Sequence, residues 1–124
     1  MSVEERNKDV LRRWEEMWKN QNFKEQMAEL AGPTYTRHEP DGTRTITIEE
    51  YCEQVIELTK NLPSNGLTIE KSEMIAEGDK VASISTWKGP QGNYMHFVQV
   101  YRLENEKLVE TWHTGILRGV KWDW

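Results

Sequence analysis

Two interleaved sets of positions two apart run along 97–112, FVQVYRLENEKLVETW, one holding Phe97, Tyr101 and Leu103 and the other Val98 and Val100, with a polar break at Asn105-Glu106. That period marks strands and the break marks a tight turn, so the stretch predicts an antiparallel hairpin. A two-residue turn sets Glu104 opposite Lys107, Leu103 opposite Leu108, Tyr101 opposite Glu110 and Gln99 opposite Trp112. One face then carries Phe97, Gln99, Tyr101, Leu103, Leu108, Glu110, Trp112 and Thr114. The other carries His96, Val98, Val100, Arg102, Val109, Thr111 and His113. The first face mixes aromatics with an amide and a carboxylate, which suits the wall of a polar-dotted pocket. The second has valines at its centre and suits burial against a helix or a second subunit. A one-residue slip or a bulge would turn the end of the second strand over.

Helical spacing governs the first third of the chain. Ser2 and Glu5 form a capping box for a helix over Val3 to Asn20, with Val3, Val10, Leu11, Trp14, Met17 and Trp18 on one stripe. Glu4, Arg12, Arg13, Glu15, Glu16 and Lys19 are left toward water. A shorter helix spans Phe23 to Leu30 and stops at Gly32-Pro33. Thr34 to His38 reads as a short strand, Glu39-Pro40-Asp41-Gly42 as a turn, and the polar run through Thr45 as a loop. Thr47 or its neighbour caps a third helix running to about Leu62, burying Ile48, Tyr51, Cys52, Val55, Ile56 and Leu62; Pro63 to Gly66 breaks it. Leu67 to Ala76 and Lys80 to Lys88 are strands joined at Gly78-Asp79. After a turn at Gly89 to Asn93, Tyr94 begins the long strand of the hairpin, and the last strand ends near Thr114. The aromatic tail from Gly115 is placed to fold over the mouth of a cavity. Three helices, with one small strand among them, and a four-strand meander make an α+β fold in one domain, 1–124.

Composition narrows the function classes. A net charge of -5 argues against a nucleic-acid backbone as partner. No stretch approaches the roughly 20 apolar residues of a membrane span, which with the lone Cys52 makes a cytoplasmic protein the expectation. Six tryptophans in 124 residues suit an aromatic-lined cavity as readily as a solid core. Three scattered histidines have no metal-ligand spacing and no phosphate-binding glycine loop is present, so neither metal nor cofactor is expected.

The runs Tyr35-Thr36-Arg37-His38-Glu39-Pro40-Asp41-Gly42, Ile75 to Ala82 and Tyr101 to Trp112 together resemble the SnoaL-like polyketide cyclase family, within the nuclear-transport-factor-2-like, or cystatin-like, superfamily. The resemblance implies a curved antiparallel sheet wrapped around the three helices, with a cone-shaped pocket open at one end. It also implies an ionisable side chain, often Asp, on a long strand facing that pocket. Here Gln99 stands where many relatives have the Asp, and the Trp-Asp that often ends the last strand is Trp112-His113. An amide takes no proton at neutral pH. Any catalysis therefore leans on His38, Glu110 or His113, with His38 and Glu110 as the leading acid–base candidates.

His38 corresponds to the His-x-Pro histidine that lies near the pocket in relatives, the alternative being a histidine that ends a strand and bonds the Asp41-Gly42 turn. Glu110, among Tyr101, Phe97 and Trp112, would be a desolvated acid or base, or a structural carboxylate held by its neighbours. Trp14, Trp18, Tyr51, Trp87, Phe97, Gln99, Tyr101 and Trp112 are the candidate substrate-binding walls, with core packing as the alternative for the aromatics. His96 and His113 fall on the outward face. The leading expectation is a cofactor-independent cyclase, isomerase or dehydratase acting on a small apolar or aromatic carbonyl compound. The alternative is a non-catalytic ligand-binding or assembly module. A homodimer through Val98, Val100 and Val109 completes the reading.

Overall fold

The computed structural model describes residues 1–62 and 66–124. Helix α1, Val3–Asn20, starts where Ser2 Oγ accepts the Glu5 amide at 3.1 Å. It ends at Gln21 in the left-handed region, whose amide closes on the Met17 carbonyl. Helix α2, Phe23–Leu30, follows at once, and α3, Ile48–Thr59, is capped by Thr47. Helix α3 stops short of the expected Leu62, and the break expected over Pro63 to Gly66 falls largely on 63–65, outside the described residues.

The region expected to hold one small strand and a loop is instead a hairpin of β1, Ala31–Glu39, and β2, Gly42–Thr47. Gly32 and Pro33, expected to end a helix, lie inside β1. They sit where its pairing with the last long strand is irregular, so the missing proline N–H leaves no gap in a regular ladder. Strands β3, Thr68–Glu77, β4, Lys80–Lys88, β5, Tyr94–Glu104, and β6, Lys107–His113, form the meander. A short β7, Leu117–Gly119, had no counterpart in the sequence reading. The sheet runs β2-β1-β6-β5-β4-β3, with β7 pairing the start of β5 beyond the end of β6. It is mixed, because β1 and β6 pair in parallel while the other neighbours are antiparallel.

Helix α1 packs on β3 and β4, and α3 on β1 and β2, so the inner face of β5 and β6 is left between them. Leu11, Trp14, Met17, Tyr35, Val81, Leu103 and Leu108 form the heart of the core at one end of that trough. Full burial of side chains of this size contributes about 1.5–3 kcal/mol each before ordering costs. The other end of the trough stays hollow.

One register detail decides the site. Asn105 and Glu106 take φ of 50° and 62°, the tight turn that the sequence predicts, and Glu104 pairs Lys107 and Leu103 pairs Leu108 as expected. Then Arg102 pairs Glu110, Tyr101 pairs Thr111, Val100 pairs Trp112 and Gln99 pairs His113. Val109 is the extra residue of a β-bulge, and everything after it changes face. Tertiary packing supplies the reason. Val109 Cγ1 lies 3.0 Å from where a Cβ on Gly32 would stand, so the bulge nests against the bare glycine of the irregular β1 segment.

Candidate active site

The hollow end is a cavity of about 470 Å³ between α1, α3 and the inner face of the sheet. That size suits one small organic molecule. Of the eight expected wall residues, Trp14, Trp18, Tyr51, Trp87, Phe97, Gln99 and Tyr101 line it. Trp112 does not. It pairs Val100 on the outer face and stacks on His38 at 5.2 Å between centroids.

The pair expected to do the chemistry lies on that outer face too. His38 Nε2 meets Glu110 Oε2 at 2.6 Å, His38 Nδ1 meets Thr43 Oγ1 at 2.8 Å, and Arg102 Nε donates to Glu110 Oε1 at 2.8 Å. The expected burial of Glu110 among Tyr101, Phe97 and Trp112 is thus corrected by the bulge. Far from being raised, its pKa is lowered: the His38 hydrogen bond is the largest influence, burial opposes it, and the hydrogen bond and charge of Arg102 lower it further.

The same bulge brings His113 inside. Its Nδ1 accepts the Gly115 amide at 2.8 Å, within a turn that Gly115 makes at φ 93° beside Pro40. An N–H only donates, so the neutral ring carries its proton on Nε2, which has no protein partner among the described residues. Burial lowers the His113 pKa, and the charge of Arg37 lowers it further, with Glu39 opposing. The ring is therefore a neutral donor at pH 7. Phe97 holds it edge-on at 5.7 Å.

Gln99 and Tyr101 stand on the same face of β5, and neither side chain has a protein hydrogen-bond partner among the described residues. Burial raises the Tyr101 pKa well above the usual phenol value, so it too is a donor. Direct cross-strand neighbours such as Gln99 and His113 lie about 5 Å apart at Cβ.

Beside this trio sits a charged cluster that the sequence reading passed over. Arg37 Nε donates to Glu39 Oε1 at 2.8 Å, and Nη1 donates to the Tyr35 and Tyr51 hydroxyls at 3.0 and 3.1 Å. Arg44 Nη2 reaches the same Glu39 oxygen at 3.2 Å while Nη1 donates to Gln54. Burial alone would raise the Glu39 pKa, but Arg37 and then Arg44 more than offset it, so the carboxylate stays ionised. Period-two spacing of Tyr35, Arg37 and Glu39 was the available signal, since it sets all three on one face of β1.

Glu15 is the second omission. Read as solvent-facing, it is 8% exposed, lines the cavity, and accepts from Ser72 Oγ at 2.8 Å and Ser83 Oγ at 3.4 Å. Its place between Leu11 at i−4 and Trp18 at i+3 was the clue.

The aromatic tail covers the mouth only in part. Gly115 and Ile116 line the cavity, but the rest crosses the outer face, where Trp122 stacks on His96 at 4.2 Å and Trp124 Nε1 donates to Thr86 at 2.8 Å. His96 is buried there, its Nε2 meeting the Val120 carbonyl at 2.9 Å. Among the described residues no cluster of three His, Cys, Asp or Glu side chains could hold a metal ion, and no helix is long and apolar enough to cross a membrane.

The profile of the SnoaL-like polyketide cyclases matches residues 8–115. This chain belongs to the SnoaL-like polyketide cyclase family. The solved structures similar to this SnoaL-like chain agree on its fold. A candidate polyketide cyclase from Acidithiobacillus ferrooxidans is 24% identical, with a TM-score of 0.75 over 91% of this chain and 89% of that one. A candidate polyketide cyclase from Streptomyces antibioticus is 17% identical, with a TM-score of 0.71 over 90% and 91%. A candidate ketosteroid isomerase from Kribbella flavida is 14% identical, with a TM-score of 0.68 over 99% and 84%. At such identities the likeness carries the α+β cone and not a reaction. No curated protein matches the SnoaL-like chain in sequence.

Proposed function

We propose that the protein is a cofactor-independent enzyme that ionises the α-position of a small apolar or aromatic carbonyl compound, in the manner of a cyclase, isomerase or dehydratase. The observation that supports this reading best is the trio Gln99, Tyr101 and His113, three donors on one sheet face that line an apolar cavity without protein partners among the described residues. A carbonyl oxygen set among them gains negative charge as an adjacent C–H bond ionises. Donors fixed in advance favour that charged state over the neutral ketone. Arg37 and Arg44, two cations against the one carboxylate of Glu39, add a positive potential on the same side. Trp14, Trp18, Trp87 and Phe97 would hold the apolar body and exclude water, which strengthens each polar contact.

The test uses 2-tetralone, an aromatic ketone with acidic α-protons, in D2O. The wild type should exchange those protons faster than buffer, and His113→Ala should lose most of the gain. The amide at Gln99 favours one other reading, a non-catalytic binding module, because it can hold an oxygen but take no proton. Tight binding of 2-naphthol with no tetralone exchange would decide for that module.

The outer face keeps Val98 and Val100 only half-buried and leaves Ile84 and Ile75 exposed, which supports a homodimer through that face. Sedimentation as a monomer at micromolar concentration would remove it. A cytoplasmic setting agrees with a single, buried, free cysteine.

A further inference from the structure

Helix α1 places one carboxylate where an apolar residue would be the ordinary choice. Glu15 falls on the stripe of Leu11, Trp14 and Trp18, and is 8% exposed. Both serine hydroxyls that reach it, from β3 and β4, bond the same oxygen, Oε1. Among the described residues only Oε1 takes hydrogen bonds and Glu15 has no ion-pair partner, Arg12 acting on it only at a distance; Oε2 is not sealed in the core but open to the space that Glu15 lines. A carboxylate buried without a cation costs stability, and the sheet serines answer only half of it.

Register fixes what lies across from it. On the inner face Ser83 of β4 pairs Gln99 of β5, and Gln99 pairs His113 of β6. Ser83, which bonds Glu15, is therefore two strands from His113, about 10 Å at the usual strand spacing. Gln99 lies between them. One flat ring laid over Gln99 would have a donor at one edge and a bare carboxylate oxygen at the other. Glu15 also lines a second, more open groove between α1 and β3, with Arg12 and Glu16 on its rim, which gives a captured proton a way out to water.

Building on the carbonyl reading above, we propose that Glu15 is the catalytic base, taking the α-proton of the bound carbonyl compound on Oε2 while His113 Nε2–H and Gln99 hold the oxygen. The C–H bond breaks, its proton forms an O–H bond on Glu15, and the electron pair moves through the new C=C bond onto the oxygen as an enolate. The same proton is then returned to carbon or exchanged through the open groove, so no oxidant or co-reactant is consumed. Burial, the largest influence on Glu15, raises its pKa against the pull of Ser72, Ser83 and Arg12. The same desolvation makes the carboxylate a stronger base.

The test uses 4-nitrophenolate, an anion shaped like an aromatic enolate, by calorimetry at pH 8 in two buffers of different ionisation heat. An anion beside Glu15 forces the carboxyl to pick up a proton, so the wild type should take up about one proton per ligand bound. Glu15→Gln, which keeps the shape and an oxygen for Ser72, should take up none and bind the anion about ten-fold more tightly, since it resembles the protonated acid. It should also lose at least about a hundred-fold of the tetralone exchange. A carboxylate that merely held the two serines would leave the proton count at zero in both proteins. Binding that His113→Ala weakens, but that brings no proton uptake in the wild type, overturns the role of Glu15 and leaves the carbonyl reading standing. Failure of 4-nitrophenolate to bind, or binding indifferent to His113, overturns both.

Discussion

Gln99 of β5 pairs with His113 of β6, and Val100 with Trp112. Two neighbours in sequence, Trp112 and His113, therefore serve opposite faces. His113→Ala should weaken 2-naphthol binding about ten-fold, the worth of roughly 1–1.5 kcal/mol for one neutral hydrogen bond. Trp112→Ala should leave it within about two-fold, the residual spread of a surface change. Tryptophan fluorescence titration checks both, and equal losses would place the ligand elsewhere.

The tautomer of His113 gives a pH signature. Its folded pKa lies below the ordinary imidazole value, so the native state binds fewer protons than the unfolded chain between the two. The stability tied to the neutral ring is present above the ordinary value and is lost as pH falls through the lowered one. Affinity for 2-naphthol should likewise hold steady through about 6.5 and decline only at lower pH. A decline centred at or above the ordinary value would show that the ring is not held neutral by its surroundings.

Outside the cavity, Glu110 links His38 and Arg102, and its pKa is lowered. Its contribution is present above the ordinary carboxyl value and fades as pH falls through the lowered value. Glu110→Gln should therefore melt a few degrees below wild type at pH 7, no more than about 1 kcal/mol for a pair this near the surface, and the two curves should converge in acid. Tetralone exchange should not change with this variant. A large loss of exchange would return the chemistry to the outer face.

Gly32 and Val109 meet across β1 and β6 with no room for another methyl group. Gly32→Val should destabilise by about 2–3 kcal/mol through overpacking at the bulge. Adding Val109→Ala should restore part of that loss, since side chains in contact do not add independently. Strict additivity of the two changes in denaturant melts would mean that the contact does not set the register.

The tail fastens the outer face through Trp122 on His96 and Trp124 on Thr86. Ending the chain after Gly119 should lower the melting temperature, by about 1–2 kcal/mol for the lost stack and hydrogen bonds, with 2-naphthol affinity kept. Loss of affinity on truncation would make the tail part of the cavity.

Local chemistry was enough for much of this protein. The sequence alone determined both capped ends, at Ser2 and Thr47, the turn at Asn105-Glu106, the three helices, the meander, and seven of the eight wall residues, because each follows from a period or from a residue's own backbone preference. It also carried the family, through runs of residues in order. Only the tertiary structure decided which face the end of β6 presents. The bulge at Val109 answers to Gly32, 77 positions away, and to a parallel pairing between strands far apart in the chain. A period of two read from one strand holds no trace of its partner's shape, so it exchanged His113 for Glu110. The burial of Glu15 was decided in the same way. A glutamate on a helix is solvent-facing by default, and only the arrival of Ser72 and Ser83 from two strands lets it go inside.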